Sequence, residues 1–344
     1  EVYTYTKEDF DFFVDAVTTV YVWSGWKKGD KVMLTLPMGV TVAAPSHFVA
    51  MQRLGCDLFN LGTYDTKTKL EYMKRFKVSG IFVTPAYLDT LTAAVEQIGL
   101  DPVRDLSVER ILMAVQAYPV SFIQKMEEKW QAKIYDYYGA TQYAMGSTCE
   151  KGAVVGDQRG YYHLLGHLAF HEVLDPESGQ PVGPGEEGEV VVTPLYREAS
   201  PFLRFRMKDR VRYFPHDACD CGRPFDLVEA GTVARYDDMM KIKGINIWPE
   251  SIDGIVLTKE ETSEYQGRLY ISDERKEKAD IVIEFKTGVT QDVKQRLMSQ
   301  ISNEVRDATG IGFIVKETTE ALPHAVFKVR RWTDDRAKGL EKKT

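Results

Sequence analysis

The chain has 344 residues and a formal net charge of −7, which together exclude several classes of protein. An acidic chain without a basic footprint argues against nucleic acid as the main partner. A hydrophobic share of 44% suffices for real cores, and no run approaches the roughly 18 apolar residues of a membrane span. The N-terminus has no signal-peptide core, so we predict a cytoplasmic protein of two or three domains without a membrane partner.

The first half of the chain alternates helical and strand patterns. Apolar residues at helical spacing predict helices at 7–22, 43–54, 66–76, 86–98 and 120–130, and β-prone runs predict strands at 31–36, 80–85, 110–115 and 133–137. Strands separated by such helices imply crossovers in one parallel sheet. Ligands of these sheets bind beyond the carboxyl ends of the strands, which here are 37–41, 84–87, 116–119 and 138–142.

The second half is predicted to be different in kind. Turn residues and the strand Gly188–Thr193 predict a β-rich subdomain between about 160 and 233. A hairpin (Arg268–Ser272 with Asp280–Lys286), a helix at 291–308 and a strand at 312–316 then predict a small α+β, ferredoxin-like unit. The predicted fold class is therefore α/β: a large N-terminal domain (1–236) with a parallel sheet, helices and a β-rich subdomain, followed by a small C-terminal domain (237–344).

Three polar motifs lie where chemistry is expected. Tyr138-Gly-Ala-Thr-Gln142 closes a predicted parallel strand, where a glycine turn lets backbone and a threonine hydroxyl face a ligand. Asp209 is a single carboxylate within a basic strand, and Ala234–Asp253 combines an Asp-Asp step with a short basic run. Taken singly, a turn, an ion-paired surface strand and a polar domain linker explain the same three motifs.

Together with Phe327-Lys-Val-Arg-Arg331, these motifs follow the order and spacing of adenylate-forming enzymes. The chain resembles phenylacetate–CoA ligases and their coenzyme F390 synthetase-like relatives over nearly its whole length, and the segment Asp237–Asp253 is the most specific part. The resemblance implies a two-step reaction. ATP and a carboxylate first give an acyl-adenylate and pyrophosphate, and a thiol, usually that of CoA, then displaces AMP.

The resemblance also implies roles for individual residues. Asp209 is expected to bind the ribose hydroxyls, Tyr138 to stack on adenine, and Thr141 to hold the α-phosphate. Lys328 is expected to place its ammonium on the oxygens where charge develops during adenylation. Asp237 is the expected hinge of a mobile small domain. Further nucleotide or cofactor contacts are expected from Gly139, Ala117, Tyr118, Pro119, Arg235, Lys243 and Gly244.

Three departures from the family pattern affect these expectations. The phosphate-binding loop of the family is expected just upstream of Thr4–Lys7, so we interpret the chain as a fragment. Gln142 stands where a Mg²⁺-binding Glu is common, and an amide oxygen can coordinate Mg²⁺ without adding charge. The turn of the adenine pocket reads Val115–Pro119 rather than the usual Gly/Ala-Glu-Pro sequence.

The cysteines predict a separate site. Thiolates and imidazole suit tetrahedral zinc, and a disulfide is not expected in a cytoplasmic chain. We predict a structural Zn²⁺ bound by Cys149, His163, Cys219 and Cys221, with His167 or His171 as substitutes for His163. The alternative is a set of unrelated thiols, and Cys56 is assigned to the core.

The predicted substrate is an aromatic carboxylic acid, because the residues expected around the acyl group are aromatic or small. They are Pro37, Met38, Gly39, His47, Tyr87 and Ala140, with Trp248 as a further candidate. We therefore predict ATP-dependent activation of an aryl or arylacetic acid followed by transfer to CoA. Amide or ester formation with another acceptor, and a nucleotide-binding homologue without catalysis, stay open as alternatives, as does a homodimer.

Overall fold

The computed structural model describes residues 2–39, 41–272, 274–323 and 331–336. The chain forms two compact units, Glu1–Val233 and Ala234–Thr344, whereas the sequence places the boundary after residue 236. Each unit has its own hydrophobic core.

The first unit contains six helices and thirteen strands among its described residues. The helices are α1 (Lys7–Trp23), α2 (Ala43–Leu54), α3 (Thr66–Phe76), α4 (Pro85–Gln97), α5 (Pro102–Asp105) and α6 (Val120–Trp130). The strands are β1 (Lys31–Leu34), β2 (Asp57–Asn60), β3 (Gly80–Val83), β4 (Arg110–Ala114), β5 (Lys133–Gly139), β6 (Ala144–Ser147), β7 (Val154–Val155), β8 (Gln158–Arg159), β9 (Tyr161–Leu164), β10 (Ala169–Leu174), β11 (Glu187–Pro194), β12 (Phe205–Phe214) and β13 (Leu227–Glu229).

Local capping explains where these helices begin and end. Thr6 and Asp9 form a capping box at the start of α1, and the Thr84 side chain caps α4, whose first residue is Pro85. Gly55 ends α2 with a left-handed φ of 80°. The predicted helices therefore agree with the observed ones within one or two residues, while the edge strand β2 was missed.

The topology gathers the ends of the parallel strands at one edge of the sheet. Strands β2-β1-β3-β4-β5 run parallel in that spatial order. The chain passes from β1 to β2 on one side of β1 and then crosses from β2 to β3 on the other side. Such a reversal of strand order is the switch point where open α/β sheets bind ligands. Beyond β5 the sheet continues through β6, β9, β13, β12, β11 and β10 with antiparallel pairing.

The second unit is a small α+β structure. Its elements are β14 (Ala234–Arg235), β15 (Met240–Ile242), β16 (Ile245–Ile247), α7 (Pro249–Val256), β17 (Thr262–Ile271), β18 (Glu277–Phe285), α8 (Gln291–Thr309), β19 (Ile314–Thr318) and β20 (Trp332–Asp334). The order of its four-stranded sheet is β19-β18-β17-β20. The β17–β18 pair is antiparallel and aligns Arg268 with Asp280. Strands β19 and β20 add in parallel at the two edges.

The fold class predicted from the sequence is confirmed: a parallel-rich sheet with helices, an added β-rich part, and a small C-terminal α+β unit. The buried apolar face of α8 consists of Leu297, Ile301 and Val305, at a spacing of four residues. In the described part of the chain, no helix combines the length and apolar character needed to cross a membrane.

Candidate active site and metal-ligating cluster

The carboxyl edge of the parallel sheet carries the predicted site segments of the first unit. Pro37, Met38 and Gly39 follow β1 and are exposed, and Tyr87 lies in the first turn of α4, directly after β3. The turn 115–119 follows β4, and Tyr138 and Gly139 end β5. Parallel pairing alone brings these separated segments to the same side of the molecule.

Tyr138 and Asp209, predicted to contact the same nucleotide, contact each other. The Tyr138 hydroxyl donates a hydrogen bond of 2.6 Å to the Asp209 carboxylate, across 71 residues of sequence. Asp209 lies on β12 and is only 6% exposed. The Tyr-Gly motif and the carboxylate of the basic strand therefore lie together in the fold.

Asp136 lies next to this pair and was missed by the sequence analysis. Its carboxylate is buried on β5 and accepts hydrogen bonds from the hydroxyls of Tyr118, at 2.6 Å, and Tyr162. The Tyr162 ring lies 5.6 Å from that of Tyr138, which links this network to the Tyr138–Asp209 pair. Burial raises the pKa of Asp136 to about 7, although both tyrosines act in the opposite direction. The sequence signal that could have identified Asp136 is a carboxylate among the apolar and aromatic residues of β5.

The turn after β4 is tied to its surroundings at several points. Val115 has a φ of 86°, a strained value for a β-branched residue. The Gln116 amide oxygen accepts a 3.2 Å hydrogen bond from the backbone of Ala86. Tyr118 is buried with its hydroxyl on Asp136, and half-buried Ala117 and Pro119 flank it. The side chain of Tyr118 thus supports the turn from within the core.

The loop of Thr141 and Gln142 is held by residues near the start of the chain and by Arg197. Tyr5 donates its hydroxyl to the carbonyl of Thr141, and the Gln142 amide donates to the Tyr3 hydroxyl at 3.0 Å. Arg197 donates to the Gln142 carbonyl at 3.1 Å. The Thr141 residue is exposed, while half-buried Ala140 begins the loop. Sequence reasoning did not identify Tyr5 or Arg197, because nothing local marks their distant partners.

The predicted acyl-pocket residues differ in their surroundings. His47 is buried, with its Nδ1 2.7 Å from the Tyr21 hydroxyl and its ring stacked on Phe82 at 4.3 Å. Burial lowers the pKa of His47 to about 3, so its imidazole is neutral. Tyr87 is half-buried, and the Lys69 ammonium lies 4.7 Å from its ring centroid.

The second unit carries the remaining predicted residues. Arg235 forms a 3.0 Å ion pair with Asp237, which lies in a short 3₁₀ turn, Tyr236–Asp238. Lys243 and Gly244 form the two-residue turn of the β15–β16 hairpin, with φ values of 48° and 85°. A turn with positive φ at both residues matches the twist of a hairpin, which explains the glycine. Half-buried Trp248 precedes α7. Lys328 lies outside the described residues.

A buried ion pair joins two of the family-like motifs within the second unit. Arg331 donates two hydrogen bonds to Glu264, of 2.6 and 3.0 Å. Its guanidinium also lies 3.6 Å from the Asp253 carboxylate, which accepts a bond from the Tyr265 hydroxyl. The motif that ends at Asp253 and the motif that ends at Arg331 therefore meet on β17.

The four predicted zinc ligands lie together. The ligand atoms of Cys149, His163, Cys219 and Cys221 are all within 4.8 Å of one another. The Cys149 and Cys219 sulfurs are 4.0 Å apart, and the Cys221 sulfur is 3.6 Å from Nε2 of His163. A tetrahedral zinc with Zn–S bonds of about 2.3 Å separates its sulfurs by about 3.8 Å, so the donor set fits such an ion. All four cysteines of the chain are free thiols.

The protonation states of the cluster follow from burial and from Arg223. Burial raises the pKa of Cys149 to about 12 and also raises that of Cys219. Burial acts in the same direction on Cys221, but hydrogen bonds from Arg223 outweigh it and lower the pKa of this thiol. Burial lowers the pKa of His163 to about 4, which leaves the neutral imidazole that binds metals. His167 and His171 are not in the cluster, so the substitutes considered for His163 are not needed.

Two family models match this chain. The model of the AMP-binding enzyme family matches residues 11–194, and that of the AMP-binding enzyme C-terminal domain matches residues 244–336. The chain belongs to the AMP-binding enzyme family, as the motif resemblance predicts.

Characterised relatives are phenylacetate-coenzyme A ligases. That of Pseudomonas putida is 27% identical over 267 residues, covering 77% of this chain and 59% of the relative. That of Thermus thermophilus is 24% identical over 296 residues, covering 86% and 65%. The chain therefore spans about three fifths of the length of these relatives. A solved 2-hydroxyisobutyryl-CoA ligase, bound to R3-HIB-AMP in the postadenylation state, shares the fold at a TM-score of 0.85 and 19% identity, over 98% of this chain and 72% of that chain.

Proposed function

We propose that this protein activates an aromatic carboxylic acid with ATP, forming an acyl-adenylate and pyrophosphate, and then transfers the acyl group to CoA. Membership of the AMP-binding enzyme family supports the adenylation step. The phenylacetate-coenzyme A ligases among the relatives support an arylacetic acid and CoA as the other substrates.

The contact between Tyr138 and Asp209 is the single observation that carries the proposal. It places an aromatic ring and a carboxylate together at the end of β5, where ligands of parallel sheets bind. A carboxylate accepts hydrogen bonds from two vicinal hydroxyls well, and a tyrosine ring offers a face to a base. This pair therefore suits a nucleoside better than it suits an inorganic ion or a peptide.

The remaining roles in the proposal follow the motif matches. Thr141 holds the α-phosphate, Gln142 offers an amide oxygen to Mg²⁺, and Lys328 stabilises the charge that develops on the reacting oxygens. Asp237 is the proposed hinge of the second unit. Arg235, Lys243 and Gly244 are proposed to contact nucleotide or CoA phosphates, because two of them carry positive charge and the hairpin turn is exposed.

An assay of pyrophosphate release with a panel of aromatic acids tests this function. We expect release that depends on ATP and acid, and thioester formation when CoA is added. Asp209→Asn is expected to lower kcat/KM for ATP by about 10- to 100-fold, the effect of losing a hydrogen bond to a charged group. Asp89→Asn, an exposed carboxylate on α4, is the matched control.

The same assay separates the alternatives. Release with hydroxylamine trapping but no thioester would favour an acceptor other than CoA. Absence of release with every acid would favour a nucleotide-binding homologue without catalysis, for which the Gln142 amide in place of a carboxylate is the motivating feature.

We also propose a structural Zn²⁺ at Cys149, His163, Cys219 and Cys221. The spacing of the four donors supports it, and so does the chemistry of the set, because three thiols and a neutral imidazole are a usual donor set for structural zinc. Bound there, the ion would cross-link strand β9, the segment after β6 and the segment after β12. Thiols that bind zinc have to stay reduced, so the zinc proposal is consistent with the proposed cytoplasmic location.

A further inference from the structure

Arg197 is a buried cation that connects three distant segments of the first unit. It is 6% exposed and lies between β11 and β12. Its guanidinium donates to four backbone carbonyls: Thr4 at 3.0 Å, Gln142 at 3.1 Å, Ala199 at 3.2 Å and Ser200 at 3.1 Å.

Aromatic rings cover the guanidinium of Arg197. Its central carbon lies 4.0 Å from the ring centroid of Tyr5 and 4.8 Å from that of Phe202. Tyr5 then donates its hydroxyl to the carbonyl of Thr141. The cation and the ring that it stacks on therefore hold adjacent carbonyls of one loop.

Asp9 provides a second anchor on the same segments. Its buried carboxylate accepts from the backbone amides of Thr6 at 3.0 Å, Glu198 at 2.8 Å and Ala199 at 2.9 Å. Burial opposes ionisation of Asp9, but these amides and the charge of Arg197 outweigh it and lower its pKa. The 197–200 segment is thus tied to the start of α1, and Arg197 has a fixed platform.

Placing a guanidinium away from water is costly unless all of its donors find partners. Here the partners are backbone carbonyls, so the cation fixes the backbone course. A planar fork with several donors is suited to this task, whereas an ammonium is a point charge on a flexible stem. The loop that it fixes carries Thr141 and Gln142 at the end of β5.

We infer that Arg197 is a positioning residue for adenylation: acting with Tyr5, it holds the backbone of Thr141 and Gln142 in the geometry that the α-phosphate and Mg²⁺ require. The inference rests on the proposed function for those two residues. Arg197 itself does not contact the reacting atoms. Misplacing a catalytic loop by about 1 Å can cost about 10²-fold in rate, which makes such an anchor kinetically visible.

The test compares Arg197→Lys and Tyr5→Phe with the control Arg204→Lys. Arg204 is near Arg197 in sequence, and on the surface its guanidinium donates two 3.0 Å hydrogen bonds to the Glu172 carboxylate. Each variant is assayed for kcat and KM in pyrophosphate release, and hydrogen exchange is measured for residues 139–143. Tyr5→Phe removes one hydroxyl and keeps the ring, so it reports on the loop even where Arg197→Lys lowers stability.

We expect Arg197→Lys to lower kcat about 10- to 100-fold and Tyr5→Phe to lower it severalfold, with KM for the acid changed less than about threefold. Exchange at 139–143 should be faster in both variants and unchanged in Arg204→Lys. The Tm of each variant is measured alongside. Native kcat in both test variants would overturn the inference and leave the proposed function standing. So would a loss of kcat that parallels a fall in Tm in all three variants.

A different outcome separates the two proposals. If the unsubstituted protein releases no pyrophosphate with any acid, the proposed function fails, and hydrogen exchange alone decides the role of Arg197. Unchanged exchange at 139–143 in Arg197→Lys then rejects the anchor, and faster exchange supports it.

Discussion

Asp136 has a pKa well above that of an aspartate in water, because its side chain is buried. Its carboxylate lies on β5 between the hydroxyls of Tyr118 and Tyr162, and burial raises its pKa to about 7. The unfolded chain has a pKa of about 3.9 for the same group. Between these values the folded protein keeps the proton that the unfolded chain has released. The stabilisation from protonated Asp136 is therefore full below about pH 4 and is lost as the pH rises through the folded pKa of about 7.

We predict that Asp136→Asn removes this pH dependence. Relative to the variant, the native protein should lose about 3 kcal/mol of unfolding free energy between about pH 5 and pH 8, because about two pKa units of the shift fall in that window and each is worth about 1.4 kcal/mol. Urea unfolding at several pH values measures it, with the exposed Asp157→Asn as control. Parallel profiles for the native protein and Asp136→Asn would show that the carboxyl is already ionised at pH 5.

In the same network, Tyr118 is held in place at both its hydroxyl and its backbone amide. Its hydroxyl is on Asp136 and its amide donates to the Gly231 carbonyl at 3.2 Å, so the residue braces the turn after β4. A side chain at Gly231 would clash with the Tyr118 ring, since an added Cβ would lie 2.5 Å from it. The glycine is therefore required by the close approach of a buried tyrosine.

At the scale of elements, the Cys/His cluster brings together segments of the first unit that are joined by short strand pairs. Cys149 follows β6, His163 lies on β9, and Cys219 and Cys221 follow the 3₁₀ helix His216–Ala218. Strand β9 is four residues long and pairs with β13, which has three. Coordination across these segments would add stability that such short ladders lack, because metal binding to the folded state is coupled to folding.

We predict one zinc per chain in metal analysis of the purified protein. Cys219→Ser should lose it and lower Tm by roughly 5 °C or more, which corresponds to about 2 kcal/mol for a unit of this size. Cys56→Ser should keep the zinc, because Cys56 is remote from the cluster and donates to the Lys27 carbonyl. A metal-free protein whose Tm does not respond to Cys219→Ser would leave the alternative of unrelated thiols.

At the scale of the whole molecule, the two units have separate hydrophobic cores. The second unit buries Tyr265, Ile281, Ile283, Ile301 and Val305 in a cluster of its own. Units with separate cores need not unfold together, and a single Tm is then not well defined.

We predict that Ile283→Ala destabilises the second unit selectively. Ile283 is fully buried, and such truncations cost about 2–5 kcal/mol. Hydrogen exchange followed by mass spectrometry should show faster exchange in β17, β18 and α8, with residues 80–83 and 110–114 unchanged. Ile111→Ala, equally buried on β4, is the reciprocal control. Equal acceleration in both units after either substitution would show that the chain unfolds as one cooperative body.

Much of the fold was predictable because its signals are local. The bounds of α2, α3 and α6 follow from apolar periodicity, and the hairpin of β17 and β18 follows from two adjacent β-prone runs, although their register does not. Strand β2 was missed because it is four residues long, at an edge and only partly buried, so its pattern is weak. Strand β20 was missed because its parallel pairing with β17 joins residues that are far apart in the chain.

For the sites, the sequence by itself determined which residue types and motifs are present: the Tyr138–Gln142 motif, Asp209, and a set of thiols and histidines suited to zinc. Only the tertiary structure decided which of them meet. In the folded chain Tyr138 contacts Asp209, and His163, rather than His167 or His171, lies with the three thiols. Arg197 donates to carbonyls up to 193 residues away in the chain. The physical reason is that helix periodicity and ligand chemistry are properties of short segments. The partners of a buried polar group depend instead on which backbone atoms are left without water when the whole unit has packed.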